Sequence, residues 1–368
     1  MSDRTFDVLI AGAGPAGLAA ALRLASSGRS VCVLERRKPG AGSAAAWLNA
    51  RAQGILSDIG VAAGAILKHP LTTLTFHNAD LSKSASPAPK EPLGFLVDRS
   101  ALTAALAKEA ERRGVELCYG FDMTGAELGE KAVRLAAADG ASRLGRFMII
   151  ATGRGTPWLE RLNLGKHAAG RGAWLGTATG PRPKEEPPGV HLVLGLDHAG
   201  SFVMLVAAPE GVAATMHGYG EKVAARPAFV QICRLLAQRG HVPPSLPEDA
   251  ASAPLSYCPT AMALDLETHV GKNVLIVGDA GGFQASLSHE GLYPAMWSAV
   301  IAADVLIEAS GSKHPQDVLQ TFETKWRSAM AAYLAPPNTD TTYLLPMIFS
   351  NAAMAERMAR AFFAGEGL

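Results

Sequence analysis

The chain has 368 residues, of which 48% are hydrophobic and 18% are charged, and this balance excludes a mainly disordered protein. Its 34 basic and 33 acidic residues leave a formal net charge of +1, so we expect no nucleic-acid partner. The four cysteines form no CxxC pair and have no histidine at metal-ligand spacing, so we expect no metal site.

Two features of the N-terminal region and the apolar segments predict a cytoplasmic protein. Asp3 and Asp7 interrupt the cationic start that a signal peptide requires. No uninterrupted apolar stretch reaches the roughly 18 to 20 residues that a membrane span requires. We therefore expect no integral membrane segment.

The first predicted elements are a strand over Phe6–Ala11 and a helix over Leu18–Ser27, joined by a glycine-rich turn. In such a turn the first glycine permits the sharp bend, the second lets the backbone approach a pyrophosphate, and the third lets the helix pack closely. The phosphate lies on unpaired N–H groups at the helix N-terminus, where the helix dipole favours negative charge. The pattern is typical of a dinucleotide-binding site, whose candidate contacts here are Gly12, Gly14, Pro15, Ala16 and Gly17.

A second predicted strand, Ser30–Leu34, ends at Glu35. An acidic residue at this point, about 20 residues after the glycines, accepts hydrogen bonds from a ribose diol. The same negative charge argues against a 2′-phosphorylated nucleotide. Arg36 follows as a further candidate cofactor contact. This motif alone does not decide between NAD and FAD.

A second diagnostic segment follows the buried-strand pattern of Asn273–Val277. It runs through Gly278–Phe283 and Ser288–Leu292 into a helical stretch, Tyr293–Glu308. The pattern GDAxGFxxxxxxEGLxxAxxSA resembles the flavin-contacting motif of the geranylgeranyl reductase family, which belongs with group A flavin monooxygenases and flavin-dependent halogenases. The resemblance implies FAD as the cofactor.

The resemblance also implies particular cofactor contacts in this segment. Asp279, at a strand end, is placed to bond the ribityl hydroxyls. A helix that begins near Gly291 and Leu292 points its N–H groups at the pyrimidine edge of the flavin, which is anionic when reduced. Arg99, at the start of a helical segment, and Gly153, after the strand Phe147–Thr152, resemble two further cofactor contacts of the family.

The sequence departs from the family patterns in three places. The third-strand motif usually reads Asp-Gly in group A monooxygenases, where it is associated with nicotinamide use, but here residues 151–154 read Ala-Thr-Gly-Arg, closer to the halogenases. The source of electrons is therefore open between NAD(P)H and a separate flavin reductase. His289 stands where the reductases have glycine, and the WxWxIP signature of the halogenases is absent, which disfavours halogenation.

These patterns predict an α/β fold in which a glutathione-reductase-like Rossmann FAD domain is joined to a second, mainly antiparallel-sheet substrate domain and C-terminal helices. Within the stretch from Pro157 to Val270, a strand meander is predicted over Val190–Leu196, Ser201–Ala208 and Gly211–Gly220, followed by a helix over Ala228–Arg239. The chain becomes helical again after about Gln316. The expected boundaries are 1–75, 98–156 and 270–315 for the discontinuous FAD-binding domain, 76–97 and 157–269 for the substrate domain, and 316–368 for the helical segment.

Candidate catalytic residues lie in the second motif, because flavin transfers the electrons and the protein needs only to place the substrate and manage protons. His289 is the first candidate, since an unperturbed imidazole titrates near pH 6.5, and a role in holding the loop together is equally open. Ser286 and Ser288 can orient the substrate or cap the following turn. His217 and Lys68 are weaker candidates.

The function predicted from these residues and the resemblance is that of an FAD-dependent oxidoreductase. We favour a monooxygenase in which a flavin hydroperoxide hydroxylates an organic or peptide-borne substrate, with a flavin reductase as a possible partner. One alternative is the reduction of an isoprenoid-type double bond. A halogenase-like enzyme and a flavin-binding protein without turnover are others, while the second motif has no role in a simple NAD dehydrogenase.

Overall fold

A computed structural model of the chain describes residues 4–38, 45–165, 172–196, 200–220, 222–259, 262–338 and 343–368. Its strands, in chain order, are β1 Thr5–Ala11, β2 Val31–Glu35, β3 Ala45–Asn49, β4 His69–Pro70, β5 Leu74–His77, β6 Ser84–Ala85, β7 Gly94–Asp98, β8 Glu116–Tyr119, β9 Met123–Leu128, β10 Val133–Ala137, β11 Ser142–Ile150, β12 Gly172–Gly180, β13 Gly189–Val193, β14 Phe202–Ala208, β15 Gly211–Gly218, β16 Ser256–Pro259, β17 Val270–Gly271 and β18 Val274–Ile276.

The helices are fewer and include several short ones. In chain order they are α1 Pro15–Ser26, α2 Ala52–Asp58, α3 Ala63–Ile66, α4 Arg99–Arg112, α5 Trp158–Arg161, α6 Lys222–Gln238, α7 Leu246–Ser252, α8 Met262–Asp265, α9 Leu292–Gly311, α10 Pro315–Leu334, α11 Leu345–Ile348 and α12 Ala352–Ala364. A 3₁₀ turn over Gly278–Gly281 connects β18 to the segment before α9.

The first sheet has a parallel centre in the order β18-β11-β1-β2-β8, with β17 antiparallel at one edge. β9 and β10 extend antiparallel from β11. The central strands are nearly continuous apolar runs because the sheet is covered on both faces, as parallel sheets require. Helices α1, α9 and α10 pack together in the cluster that covers one face. This is the predicted Rossmann-type layer.

The second sheet has the order β16-β12-β15-β14-β13-β5-β6, and its pairs are antiparallel except for β13 with β5. One face packs against α11 and α12, and the other packs against α6 and α7. A small sheet, β3-β7-β4, lies beside it. The structure confirms the predicted α/β class with a second, mainly antiparallel sheet and C-terminal helices. The domain boundaries stay a prediction. Strand β5 crosses the domain boundary that we expected between residues 75 and 76.

Helix α9 lies at the centre of the molecule. It is long and apolar enough, by length and composition alone, to cross a membrane, contrary to the expectation that no segment reaches this length. However, 67% of its apolar window is buried inside the protein. Its apolar faces pack on both α1 and α10, and its acidic residues Asp304 and Glu308 lie on a partly exposed side, as expected of a core helix of a globular protein. One such buried helix is therefore weak evidence for a membrane span.

Candidate active site

The glycine-rich turn after β1 contains three glycines, and the structural reason for having glycine differs among them. Gly12 has a φ of +110°, and a Cβ there would fall on the carbonyl oxygen of Ala151. A Cβ on Gly17 would fall on the carbonyl oxygen of Gly12. Gly14 has an ordinary φ of −76°, and a Cβ there meets nothing within 4 Å. The packing of the protein thus requires Gly12 and Gly17, whereas the space beside Gly14 is open to a ligand.

Helix α1 begins at Pro15, directly after this open space. Among the described residues no side chain caps the helix, so its first N–H groups are available to an anion. Ala16 packs against the second motif, because a Cβ on Gly278 would lie 3.0 Å from the Ala16 Cβ. The two motifs, which are distant in the sequence, therefore meet at the start of α1.

Glu35 lies at the end of β2 and fixes the glycine-rich turn. Its Oε2 accepts a hydrogen bond from the N–H of Ala13 at 2.8 Å, and its Oε1 accepts one from the N–H of Arg37 at 2.8 Å. A carboxylate has about four lone-pair positions, so two bonds leave capacity for a diol. Arg36 is exposed next to it. Glu35 therefore has a structural role that the motif did not predict, beside the predicted one.

The residues that follow β11 and β18 are joined by an ion pair. Arg154 Nε donates to Asp279 Oδ2 at 3.2 Å, just after Gly153, which has a φ of +76°. A Cβ on Gly291 would lie 3.0 Å from Asp279 Oδ1, so the start of α9 is also close. Gly153, Asp279 and Gly291 are thus brought together, whereas Arg99 is exposed at the first residue of α4.

The start of α9 is held by a buried carboxyl group that sequence reasoning did not select. Glu290 Oε1 accepts the N–H of Tyr293 at 2.7 Å, and Oε2 accepts the Tyr333 hydroxyl at 2.9 Å. Asn49 Nδ2 donates to Tyr333 at 3.2 Å and to the carbonyl oxygen of Phe363 at 2.8 Å. Burial raises the pKa of Glu290 to about 7. The Glu-Gly-Leu motif contains Glu290, but nothing in the sequence indicates its distant partners.

His289 is buried and has a φ of +55°, in the left-handed region. This conformation explains why a glycine fits the same position in the reductases that the motif resembles. Tyr219 Oη lies 2.6 Å from its Nε2. Burial, and then the charge of Arg154, lower the pKa of His289 to about 3. The pKa lies below the unperturbed value because the imidazole is desolvated and beside a cation, which favours its neutral form.

A second histidine shares this region. The ring centroids of His217 and His289 are 4.8 Å apart, and His217 stacks on Phe202 at 4.3 Å. Among the described residues neither the Nδ1 of His217 nor that of His289 has a hydrogen-bond partner, although both atoms are buried. An unsatisfied buried polar group costs about 1–3 kcal/mol. The pair is therefore a candidate contact for a bound molecule.

A cavity of about 210 Å³ lies next to these rings, between the second sheet and the C-terminal helices. Its wall includes Phe202, Tyr219, Ser286, Leu345 and Phe362. Ser286 thus lies on the cavity wall. Ser288 instead is buried in the turn, where its Oγ accepts the N–H of Glu290 at 3.3 Å. Its hydroxyl holds the loop.

Comparison with known families decides the assignment of this site. The family described as FAD binding domain matches residues 5–335, which is most of the chain. The chain belongs to this FAD-binding family. The protein is accordingly an FAD-dependent oxidoreductase. The open space beside Gly14 and the uncapped start of α1 fit the pyrophosphate of FAD.

Several solved structures share the fold of this chain. A geranylgeranyl bacteriochlorophyll reductase-like protein from Thermoplasma acidophilum is 15% identical, with a TM-score of 0.71 over 99% of this chain and 93% of that chain. The probable FAD-dependent monooxygenase pqsL from Pseudomonas aeruginosa is 17% identical, with a TM-score of 0.67 over 97% and 99%. The flavin-dependent halogenase CmlS is 18% identical, with a TM-score of 0.66 over 99% and 68%. Curated protein sequences give no significant match.

Proposed function

We propose that this FAD-dependent oxidoreductase is a monooxygenase that hydroxylates a small organic molecule. The observation that carries the proposal is the small cavity of about 210 Å³ beside the Tyr219–His289 pair. Pockets for drug-sized ligands are roughly 300–1,000 Å³. A long isoprenoid chain is larger than this cavity, so its size favours a compact substrate, or a single side chain of a peptide-borne one, over an isoprenoid reductase.

The proposed cofactor site uses both sequence motifs. The open face of Gly14 and the first turn of α1 would hold the pyrophosphate, and Glu35 would accept hydrogen bonds from the ribose. Asp279, which is paired with Arg154, would bond hydroxyl groups of the cofactor. The complete set of proposed contacts is Gly12, Gly14, Pro15, Ala16, Gly17, Glu35, Arg36, Arg99, Gly153, Asp279, Gly291 and Leu292.

FAD, when bound, supplies electron transfer and the activation of dioxygen. The net reaction places one oxygen atom in the substrate and the other in water, and it consumes two electrons from a donor and two protons. The chain must exclude water from this chemistry and position the substrate. Apolar side chains such as Phe202 and Phe362 form the dry part of the cavity wall, and the Ser286 loop closes it on another side.

Tyr219 is the proposed positioning group for a polar atom of the substrate. It lines the cavity, and its hydroxyl is 2.6 Å from His289 Nε2. Because the pKa of His289 is about 3, the imidazole is neutral at physiological pH, and in the tautomer that is protonated at Nδ1 its Nε2 accepts a hydrogen bond from the Tyr219 hydroxyl. We therefore assign His289 as a hydrogen-bond acceptor that orients Tyr219, and not as an imidazolium acid.

The test is isotope incorporation from ¹⁸O₂ into small phenols, anilines and indoles. Purified FAD-loaded protein is given NADH, NADPH or pre-reduced flavin with a flavin reductase as separate electron donors. We expect a product that carries one ¹⁸O atom and that forms only with oxygen present. Loss of a carbon–carbon double bond without oxygen, or a halogenated product when halide is added, would contradict the monooxygenase. The comparison of donors also identifies the electron source.

A further inference from the structure

A cluster of three histidines and one glutamate lies on the other face of the second sheet. His77 is the last residue of β5, His191 is in β13, and His241 follows α6. Their neighbours Phe76 and Leu192 pack in the core cluster of the C-terminal helices. Since side chains alternate along a strand, His77 and His191 point to the opposite face, which α6 covers. The sheet therefore separates the cluster from the cavity.

The histidine nitrogens converge. His77 Nε2 and His191 Nδ1 are 2.9 Å apart, and the ring of His241 is 4.3 Å from that of His191 and 5.7 Å from that of His77. One nitrogen from each of the three rings lies within 4.8 Å of the others. Zinc–nitrogen bonds of roughly 2.0–2.1 Å in tetrahedral geometry place ligand nitrogens about 3.3 Å apart. Small side-chain rotations are therefore enough to form a first coordination shell.

A buried carboxylate forms hydrogen bonds with two of these three rings. Glu186 Oε1 bonds His191 Nε2 at 2.7 Å, and Glu186 Oε2 bonds His241 Nδ1 at 2.7 Å. Metal-ligating histidines commonly donate their other ring N–H to a carboxylate in this way, which fixes the ring and leaves the second nitrogen free for the metal. Glu186 is only 5% exposed, so its charge is not screened by bulk water.

We propose that His77, His191 and His241 bind a divalent transition metal of the zinc class, with Glu186 as the carboxylate that orients the rings. Imidazole ligands suit Zn²⁺, and a three-histidine site leaves a fourth position for water. The metal joins the neighbouring strands β5 and β13 and the connection after α6. It therefore acts on the stability of the second sheet and not on the flavin chemistry. The three histidines are far apart in the sequence, so local spacing gives no signal for this site.

The test uses the full-length, FAD-loaded protein, stripped of metal with a chelator and then titrated with ZnCl₂ and CoCl₂. We expect about one equivalent of bound Zn²⁺ by elemental analysis, the visible absorption of tetrahedral Co²⁺, and a rise in the melting temperature on Zn²⁺ addition. The exposed His314 provides a matched control, and we expect His314→Ala to keep the bound Zn²⁺, the Co²⁺ absorption and the rise in melting temperature. His241→Ala and His77→Ala lose them, and Glu186→Gln binds Zn²⁺ about 10–100-fold more weakly.

The outcome is independent of the proposed hydroxylation. The flavin spectrum and FAD content report the folding of each variant and stay unchanged in His241→Ala, which is the least buried of the three histidines. Wild-type protein that binds no more Zn²⁺ than His241→Ala overturns the proposal. Equal binding by wild type and both histidine variants also overturns it, because the metal would then lie elsewhere.

Discussion

Gly14 is the glycine of the first turn that the packing of the protein does not require. It has an ordinary φ and, unlike Gly12 and Gly17, no neighbouring protein atom where a side chain would lie. A glycine in such a position is otherwise replaceable at little cost to stability. Its replacement therefore tests the proposed pyrophosphate contact without disturbing the fold.

We expect Gly14→Val to fold with a melting temperature close to that of the apo wild type and to lose bound FAD by at least about tenfold. The reason is that the new side chain fills the place of the pyrophosphate. Absorbance at the flavin band after gel filtration measures the bound fraction. Gly54→Ala is the matched control, since this glycine in α2 also has open space around it and lies far from the motif in the sequence. Full FAD retention by Gly14→Val would contradict the proposed contact.

The residues of this site differ in how far sequence can predict them. The glycine-rich turn and Asp279 stand in local patterns, so their positions follow from chain order. The positive φ of His289 is only weakly indicated, because histidine is enriched in the left-handed region but enters it in a small minority of cases. Its low pKa depends on burial and on Arg154, which comes from another strand exit. The surroundings that set this pKa exist only in the folded chain, and the spacing of residues in the sequence does not show them.

At the scale of elements, α12 is joined to α10 at its C-terminal end. Gly365 ends α12 with a φ of +66°, and a Cβ there would fall on the ring of Tyr333. The same tyrosine bonds Glu290 at the start of α9. The packing of the last helix thus bears directly on the loop beside the cavity.

We expect Gly365→Ala to lower the free energy of unfolding by about 1–3 kcal/mol or more, through the strained backbone and the displaced ring. Urea unfolding followed by circular dichroism measures the change. Gly367→Ala is the control, because the same substitution two residues later meets no atom within 4 Å and requires no positive φ. Equal stability of the two variants would show that α12 does not press on Tyr333.

Element types are more predictable here than element partners. The helices α1, α9, α10 and α12 follow from apolar periodicity, and the strands β13, β14 and β15 follow from runs between turns. The parallel pairing of β5 with β13, and the small sheet of β3, β7 and β4, join segments with no local signal. Such pairings depend on the packing of the whole chain, so periodicity cannot indicate them.

At the scale of the whole molecule, Glu290 links stability to pH. Its pKa is raised from 4.5 to about 7 by burial, so the folded protein holds this proton more tightly than the unfolded chain. The resulting stabilisation is fully present below about pH 4.5 and is lost as the pH rises through 7. Each pKa unit corresponds to about 1.4 kcal/mol.

We expect Glu290→Gln to remove this part of the pH dependence, because the amide cannot ionise. Between pH 5 and pH 8 the wild type should lose a few kcal/mol of unfolding free energy relative to the variant. Denaturant unfolding at several pH values gives the comparison. Glu210→Gln, at an exposed position, is the control and should follow the wild type. Parallel curves for Glu290→Gln and wild type would mean that Glu290 is ionised throughout.

The order of strands in the first sheet has a consequence for synthesis on the ribosome. β1 is at the centre of the sheet, but its neighbour β11 and the next strand, β18, come from much later parts of the chain. A nascent chain emerges from its N-terminus, so one edge of β1, a mainly apolar strand, stays unpaired while more than the next hundred residues are made. Slow translation between β2 and β11 prolongs this exposure. We therefore expect aggregation of the nascent chain to depend on how long that edge stays unpaired, which the stability of the finished protein does not report.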